Sequence, residues 1–346
     1  MGADVPTSHQ PEFGMRAPHP FRRIAVAAGA LLLSSMSLLA TPGAAQAAPG
    51  TYSLLVFPDQ SHGAVYDLIR SAAKSVDVTM YELDDPEVVN ALVNRERAGA
   101  TVRVILDAKH PSVNEPAYQA LTAAGVGVVY SSPDFVYTHQ KTITVDRAKS
   151  LILTGNLDAK YYATGRDYGV VDTDPADVAA IEQTFDADYT HTAATPSDGA
   201  NLLWSPTDSQ DRLLALINGA RHSLDLEQLE FGAGALVDAV VAARNRGVTV
   251  RVVGMNPDRY AGYFDQIKEA GGTVVTFSST EGLFIHAKTI VADSGTPSAK
   301  VFAGSQNFSD NSLNNNRELG LIVDDGGVLN GIESTFKTDF ANGMPY

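Results

Sequence analysis

THQKTITVD (Thr138–Asp146) and IHAKTIVAD (Ile285–Asp293) carry the same constellation, His-x-Lys-x4-Asp, in the same apolar-flanked frame. Its members are His139, Lys141 and Asp146 in one copy and His286, Lys288 and Asp293 in the other. One match to three fixed positions is weak, but two in register with repeated surroundings are a strong signal. Two histidines, two lysines and no cysteine are what covalent phosphoryl transfer through a histidine nucleophile requires.

The repeat extends outward from the motif. Ser75-Val76-Asp77-Val78 matches Ser223-Leu224-Asp225-Leu226, and Gly99 with Val102-Arg103-Val104 matches Gly247 with Val250-Arg251-Val252. Beyond each motif lie Asn156 and Asn307, then an acid at one common spacing, Asp167 in GRDYGVV and Glu318 in NRELGLI. Each half closes alike, with IEQTFDADY (Ile181–Tyr189) and IESTFKTDF (Ile332–Phe340). Such self-similarity marks an internal duplication.

Each unit reads as alternating helix and strand. Helical spacing covers Val65–Lys74 and Leu213–Arg221, followed by short apolar strands at Val76–Met80 and Leu224–Leu229. Helices at Pro86–Ala98 and Gly234–Arg246 stop at Gly99 and Gly247, which suit a left-handed C-cap. Val102–Leu106 and Val248–Val253 read as buried strands. A helix, a strand (Gly125–Tyr130 or Gly272–Phe277), the motif strand and a last strand (Ser150–Thr154 or Lys300–Ala303) complete the unit. The fold class is therefore α/β, a duplicated αβα layered unit with two mainly buried sheets. The boundaries are a leader at 1–47, a first half at 48–195 and a second half at 196–346, joined through the Thr, Ala, Ser and Pro-rich stretch Thr190–Gly199.

The leader reads as a signal peptide. Arg22-Arg23 precede an apolar run, Ile24–Ala40, and the small-residue site Ala45-Gln46-Ala47 follows, so cleavage after about Ala47 and secretion are expected. The paired arginines fit twin-arginine export and ordinary export equally well. Without residues 1–47, the 25 basic and 40 acidic residues become 22 and 38, a net charge of −16. Zero cysteines exclude disulfides, so the exported fold rests on packing. Acidity without a Lys/Arg run disfavours nucleic acid as a partner, because phosphate contacts dominate such binding.

The doubled motif resembles the phospholipase D superfamily in its two-motif, single-chain form, and the likeness runs from about Tyr52 to Phe340. The resemblance implies halves related by a pseudo-twofold axis, one active site between them, and breakage or exchange of phosphodiester bonds without a metal or other cofactor. It implies attack on phosphorus by His139 and acid/base work by His286. Two departures accompany it. The second half keeps Gly304-Ser305-Gln306-Asn307, whereas the first has Leu153-Thr154-Gly155-Asn156, and the chain leaves little room for long loops over a headgroup.

Charge on the non-bridging oxygens calls for fixed cations and donors. Lys141 and Lys288 would supply the cations, and Asn156, Asn307, Ser305 and Thr154 the neutral donors. A nucleophilic histidine needs its other ring nitrogen fixed, and Asp167 and Glu318 are the natural orienters. Asp146 and Asp293, at an odd separation along the motif strand, face away from the lysines and read as structural ties. Glu82 and Glu230 recur at one offset and either line the cleft or cap a helix. Tyr260, Tyr263, Phe264, Phe135, Tyr137 and Phe284 form either an apolar rim or core. His62, His110, His191 and His222 have no repeated partner and read as surface or loop residues. The expected partners are a phospholipid or other phosphodiester substrate and peripheral contact with a membrane, for a monomeric chain. A nuclease of the same fold and a binding module without activity are the competing readings.

Overall fold

The computed structural model describes residues 50–278 and 282–346. The expected leader lies outside them. The described residues all fall in one compact unit, so the two repeats do not part into separate bodies.

Two large sheets carry the same strand order. The first runs Tyr52–Phe57, Gly165–Asp172, Lys149–Leu153, Lys141–Val145, Ser75–Met80, Thr101–Leu106, Gly127–Tyr130. The second runs Leu202–Ser205, Glu318–Val323, Lys300–Gly304, Lys288–Ala292, Ser223–Gln228, Thr249–Met255, Thr273–Phe277, with Met344–Pro345 at its edge. Three strands of each are parallel, joined through helices, and the motif strand and its followers add antiparallel. Val, Ile and Leu dominate because helices and the opposing half bury both faces. One apolar cluster fills the helix side of each half, the first around Val78, Val104 and Leu121 and the second around Leu226, Val240 and Phe264. A third is shared, joining Ile152, Tyr168 and Ile181 to Met255, Val291, Leu321 and Phe336.

The repeated polar letters have structural reasons. Asp77 and Arg103 sit opposite each other on neighbouring strands, as do Asp225 and Arg251. Each arginine grips its aspartate with two nitrogens, at 2.7 and 2.9 Å in the first half and 2.7 and 2.6 Å in the second. The closing helices then lay aromatic rings against the same guanidinium groups, Phe185 and Tyr189 in one half and Phe336 and Phe340 in the other. A bidentate pair covered by ring faces loses less to water than an exposed one.

Where the structure departs from the sequence reading, the cause is local. The motif strands begin at Lys141 and Lys288, so His139 and His286 precede the ladder and do not alternate within it. Asp146 and Asp293 follow the strand at left-handed φ of 55° and 54°. Asp146 accepts the backbone N–H groups of Ala73, Lys74 and Ser75, and Asp293 those of Arg221, His222 and Ser223. Each carboxylate thus ties the end of its motif strand to the turn that enters the neighbouring strand. Thr190–Gly199 contains neither helix nor strand. Among the described residues no helix is long and apolar enough to cross a membrane.

Candidate active site

The stretch before each motif strand docks on the other half. Phe284–Ile285 pairs in parallel with Gly165–Arg166, and Thr138 bridges Arg317. The His286 N–H donates to the Arg166 carbonyl at 3.1 Å and the His139 N–H to the Arg317 carbonyl at 2.9 Å. Each histidine therefore lies beside the acid of the opposite repeat. His139 Nδ1 meets Glu318 Oε2 at 2.8 Å, and His286 Nδ1 meets Asp167 Oδ1 at 3.0 Å. With Nδ1 donating to the carboxylate, Nε2 is left with its lone pair.

Both histidines line one cavity of about 280 Å³. Its wall also includes Phe57, His62, Tyr81, Glu82, Asn156, Asp158, Tyr161, Tyr162, Glu230, Phe284 and Asn307. The two halves thus share a single site. Glu82 and Glu230 belong to the cleft; the cap of the Pro86–Arg97 helix is Asp85. Among the described residues no cluster of His, Asp and Glu has the arrangement of a metal cage.

The lysines lie in the interior and do not form the cavity wall. Lys141 and Lys288 are 1% and 0% exposed, and each ammonium donates to the carbonyl of its own motif histidine. Lys288 also donates to the Thr154 carbonyl at 3.1 Å, and Lys141 lies 4.9 Å from the centre of the Tyr81 ring. Lys288 Nζ also lies 3.2 and 3.3 Å from the two ring nitrogens of His286, so its charge sits directly behind that histidine. Burial, and then the charge of Lys288, bring Lys141 down to about 7; burial brings Lys288 to about 8 against the pull of Asp167 and Glu318. Burial outweighs Glu318 and lowers His139 to about 4. His286 is lowered by burial and by Lys288. Burial raises Glu318 and Asp167, but the facing histidines and lysines outweigh it and both end below the usual carboxylate range. A diester anion bound in the cavity would favour the charged form of the two lysines behind it.

Two expected phosphate donors are turned elsewhere. The Thr154 hydroxyl donates to Asp167 at 2.7 Å and accepts from the Tyr168 N–H at 2.9 Å. The Ser305 hydroxyl donates to the Leu319 carbonyl at 3.3 Å and accepts from the Leu319 N–H at 3.2 Å. They brace the strand that carries the orienting acid. Asn156 and Asn307 do reach the cavity: the Asn156 amide donates to Glu82 at 2.8 Å, and the side-chain oxygens of both are buried without a partner. Gly155 stands where the second repeat has Gln306. A Cβ there would meet the Asp167 carboxyl at 2.5 Å, so the first half needs glycine to seat that acid.

Reading by repetition missed the residues that occur once. His62 is stacked between Phe57 and Tyr162 on the cavity wall, not on the surface. His110 joins the Tyr81 hydroxyl at 3.0 Å to Asp107 at 3.1 Å, and the Tyr81 ring stands edge-to-face with His139. His191 and His222 are exposed. Of the aromatics, Tyr260 and Phe264 are core, Tyr263 packs against that core, and Phe135 lies under the Arg317 guanidinium. Tyr137 packs beside Tyr81 and His110, and only Phe284 reaches the cavity.

Residues 65–189 and 213–340 each match the family described as "Cardiolipin synthase, PLD-like domain". The chain belongs to the phospholipase D superfamily. Cardiolipin synthase A of Pseudomonas syringae is 25% identical over 334 residues, which is 83% of this chain and 68% of that protein. Mitochondrial cardiolipin hydrolase of Xenopus tropicalis is 35% identical over 134 residues, 38% of this chain and 61% of its own length. Among solved structures, phosphatidylserine synthase of Haemophilus influenzae superposes with a TM-score of 0.65 at 12% identity, over 85% of this chain and 86% of that one. Polyphosphate kinase of Porphyromonas gingivalis reaches a TM-score of 0.69 at 16% identity, over 84% and 47%. At these identities the structures attest the phospholipase D-like fold, and the family match attests membership in a superfamily of phosphodiester-acting enzymes.

Proposed function

We propose that this protein is an exported phospholipase D-like phosphodiesterase that cleaves phosphatidyl headgroups and passes the phosphatidyl group to water or an alcohol. The reading rests on one observation: two motif histidines, each held at Nδ1 by the opposite repeat's carboxylate, open onto a single cavity. In the proposed mechanism His139 Nε2 attacks phosphorus and the P–O bond to the leaving alcohol breaks. His286 protonates the departing oxygen, then takes a proton from the incoming hydroxyl as the P–N bond breaks and its electron pair returns to His139. Lys141, Lys288 and the Asn156 and Asn307 amides offset charge on the non-bridging oxygens. The diester's own charge favours the proton on His286 that burial and Lys288 disfavour.

Lipid is preferred over nucleic acid as substrate because of the wall. Glu82, Asp158 and Glu230 stand among aromatic rings around the cavity, a setting that repels the flanking phosphates of a nucleic-acid strand. The names of the cardiolipin synthase and hydrolase relatives point the same way. The test is to incubate the purified protein, in EDTA, with phosphatidylcholine and phosphatidylglycerol vesicles and separately with single-stranded DNA. Headgroup release with intact DNA is expected; degraded DNA with no headgroup release overturns the lipid reading in favour of the nuclease. Export is tested by sequencing the N-terminus of protein recovered from the medium, expected just after Ala47.

A further inference from the structure

His62 has no role in the mechanism above, yet it sits on the wall of the same cavity. Its imidazole is clamped between two rings, with Phe57 at 4.1 Å and 17° and Tyr162 at 3.4 Å and 7°. The clamp is itself fixed: the Tyr162 and Tyr66 hydroxyls both donate to Asp85 at 2.8 Å, and the Phe57 carbonyl accepts from Arg166 at 2.8 Å. Among the described residues no group hydrogen-bonds the His62 ring nitrogens. Burial lowers this imidazole to about 4, so near neutrality it carries one N–H donor and one lone pair. A rigid ring whose nitrogens have no protein partner, set in a reaction cavity, is a binding group for something that enters it.

What enters is constrained by the surroundings. The cavity wall carries the rings of Phe57, Tyr161, Tyr162 and Phe284 among the carboxylates of Glu82, Asp158 and Glu230, a setting that suits a neutral, carbon-bearing guest with a polar group for His62. Asp167, which holds His286, lies close enough for its charge to act on His62, which puts this wall on the side of the proton-carrying histidine. The duplicated scaffold does not require the residue. The matching position in the second repeat is Gln210, which is bonded to Asn314 at 3.1 Å.

We infer that His62 is the acceptor-binding residue: it hydrogen-bonds the hydroxyl of an incoming alcohol while the stacked rings contact that alcohol's carbons, so the phosphoryl group goes to alcohol in preference to water. The inference rests on the phosphodiesterase reading but not on the lipid one. The transferred oxygen loses its proton to His286, bonds phosphorus and displaces His139 Nε2; His62 holds the hydroxyl and is itself unchanged.

The test uses bis(p-nitrophenyl) phosphate with a fixed concentration of 1-butanol, and measures the ratio of butyl p-nitrophenyl phosphate to p-nitrophenyl phosphate. This ratio does not depend on how much enzyme is folded. His62→Phe keeps a ring in the stack and removes both nitrogens, and is expected to lower the ratio about tenfold, the worth of one neutral hydrogen bond. His62→Gln restores a donor and an acceptor without the ring and is expected to fall between the two. It also reads the ratio if the Phe variant yields too little protein. Ratios within twofold of the unsubstituted protein in both variants overturn the inference. No p-nitrophenolate release from the unsubstituted protein overturns the phosphodiesterase reading, and this inference with it.

Discussion

The surroundings of His139 and of His286 differ far more than the repeats that carry them. Glu318, which holds His139, is fully buried and also accepts from Ser312 and from Asn316 at 2.9 Å, so both its oxygens are engaged inside the protein. The ring it holds is walled by Tyr81, whose hydroxyl is tied through His110 to Asp107, and Asp107 in turn accepts the Thr138 N–H at 2.7 Å. In the second repeat Leu229 and Met255 stand at the positions of Tyr81 and Asp107. The acid that holds His286, Asp167, lines the open cavity beside His62. Both histidines open onto the cavity, but the acid behind His139 is buried and doubly braced, while the acid behind His286 itself lines the cavity. That is the division a nucleophile and a proton carrier need, and duplication alone would not supply it.

The sharpest way to break this comparison is to remove each histidine in turn. Either His139→Asn or His286→Asn is expected to lower turnover about 10⁵- to 10⁶-fold, as for members of a catalytic unit. With a p-nitrophenyl diester, which needs little help from an acid, His286→Asn should accumulate an adduct on His139, and His139→Asn should form none. Acid quench and mass spectrometry decide it; an adduct on His286 alone would reverse the roles. Next in size, Glu318→Gln is expected to cost about 10³- to 10⁴-fold in phosphoenzyme formation, through the wrong tautomer of His139. Asp167→Asn should cost less with that substrate, because it acts through the histidine whose acid is not needed. Equal losses would mean the two settings are equivalent.

The pH profile sharpens the same contrast. His139 loses its lone pair as pH falls through about 4, and Lys141 and Lys288 lose their charge as pH rises through about 7 and 8. kcat/KM should therefore peak at mildly acid pH, fall about tenfold per unit between about pH 7 and 8, and fall more steeply above that, where both lysines lose their charge. Stability moves the other way. A lysine whose folded pKa lies below its unfolded value opposes folding fully below about pH 7, and that cost fades as pH climbs toward the unfolded value. Lys141→Met should abolish activity yet raise stability by about 1–2 kcal/mol at pH 6, with the gain shrinking at pH 10. A lower melting temperature at pH 6 would show that the buried cation is repaid by its neighbours. The smallest effect on catalysis belongs to the strand-end carboxylates: Asp146→Ala should lose about 1–3 kcal/mol of stability in urea melts with turnover little changed.

The sequence disclosed what was written twice. The motif, the trailing acid and the succession of helices and strands all recur, and repetition filters chance. It misjudged what depends on one or two residues of register. The histidines were expected within the strand and precede it, because the backbone leaves its own sheet there to bond the other half. The Thr154 and Ser305 hydroxyls were assigned by residue type, and type does not say which way a hydroxyl points. Tyr81, His62 and His110 were invisible to an argument from repetition, since each occurs once.

One arrangement reaches past catalysis. The arginine before each orienting acid is buried and pairs with the closing helix of the opposite repeat, Arg166 with Asp339 and Arg317 with Asp188. The same two places hold the reciprocal backbone bonds that seat the histidines. The covalent link through Thr190–Gly199 is thus only one of several ties between the repeats. A protease cut there should leave two fragments that stay associated, and the two pieces made separately should find each other and recover activity that neither has alone. Inheritance is bound in the same way: a change at Asp188 or Asp339 leaves a buried arginine of the other repeat short of its partner, so the two copies are coupled at the seam.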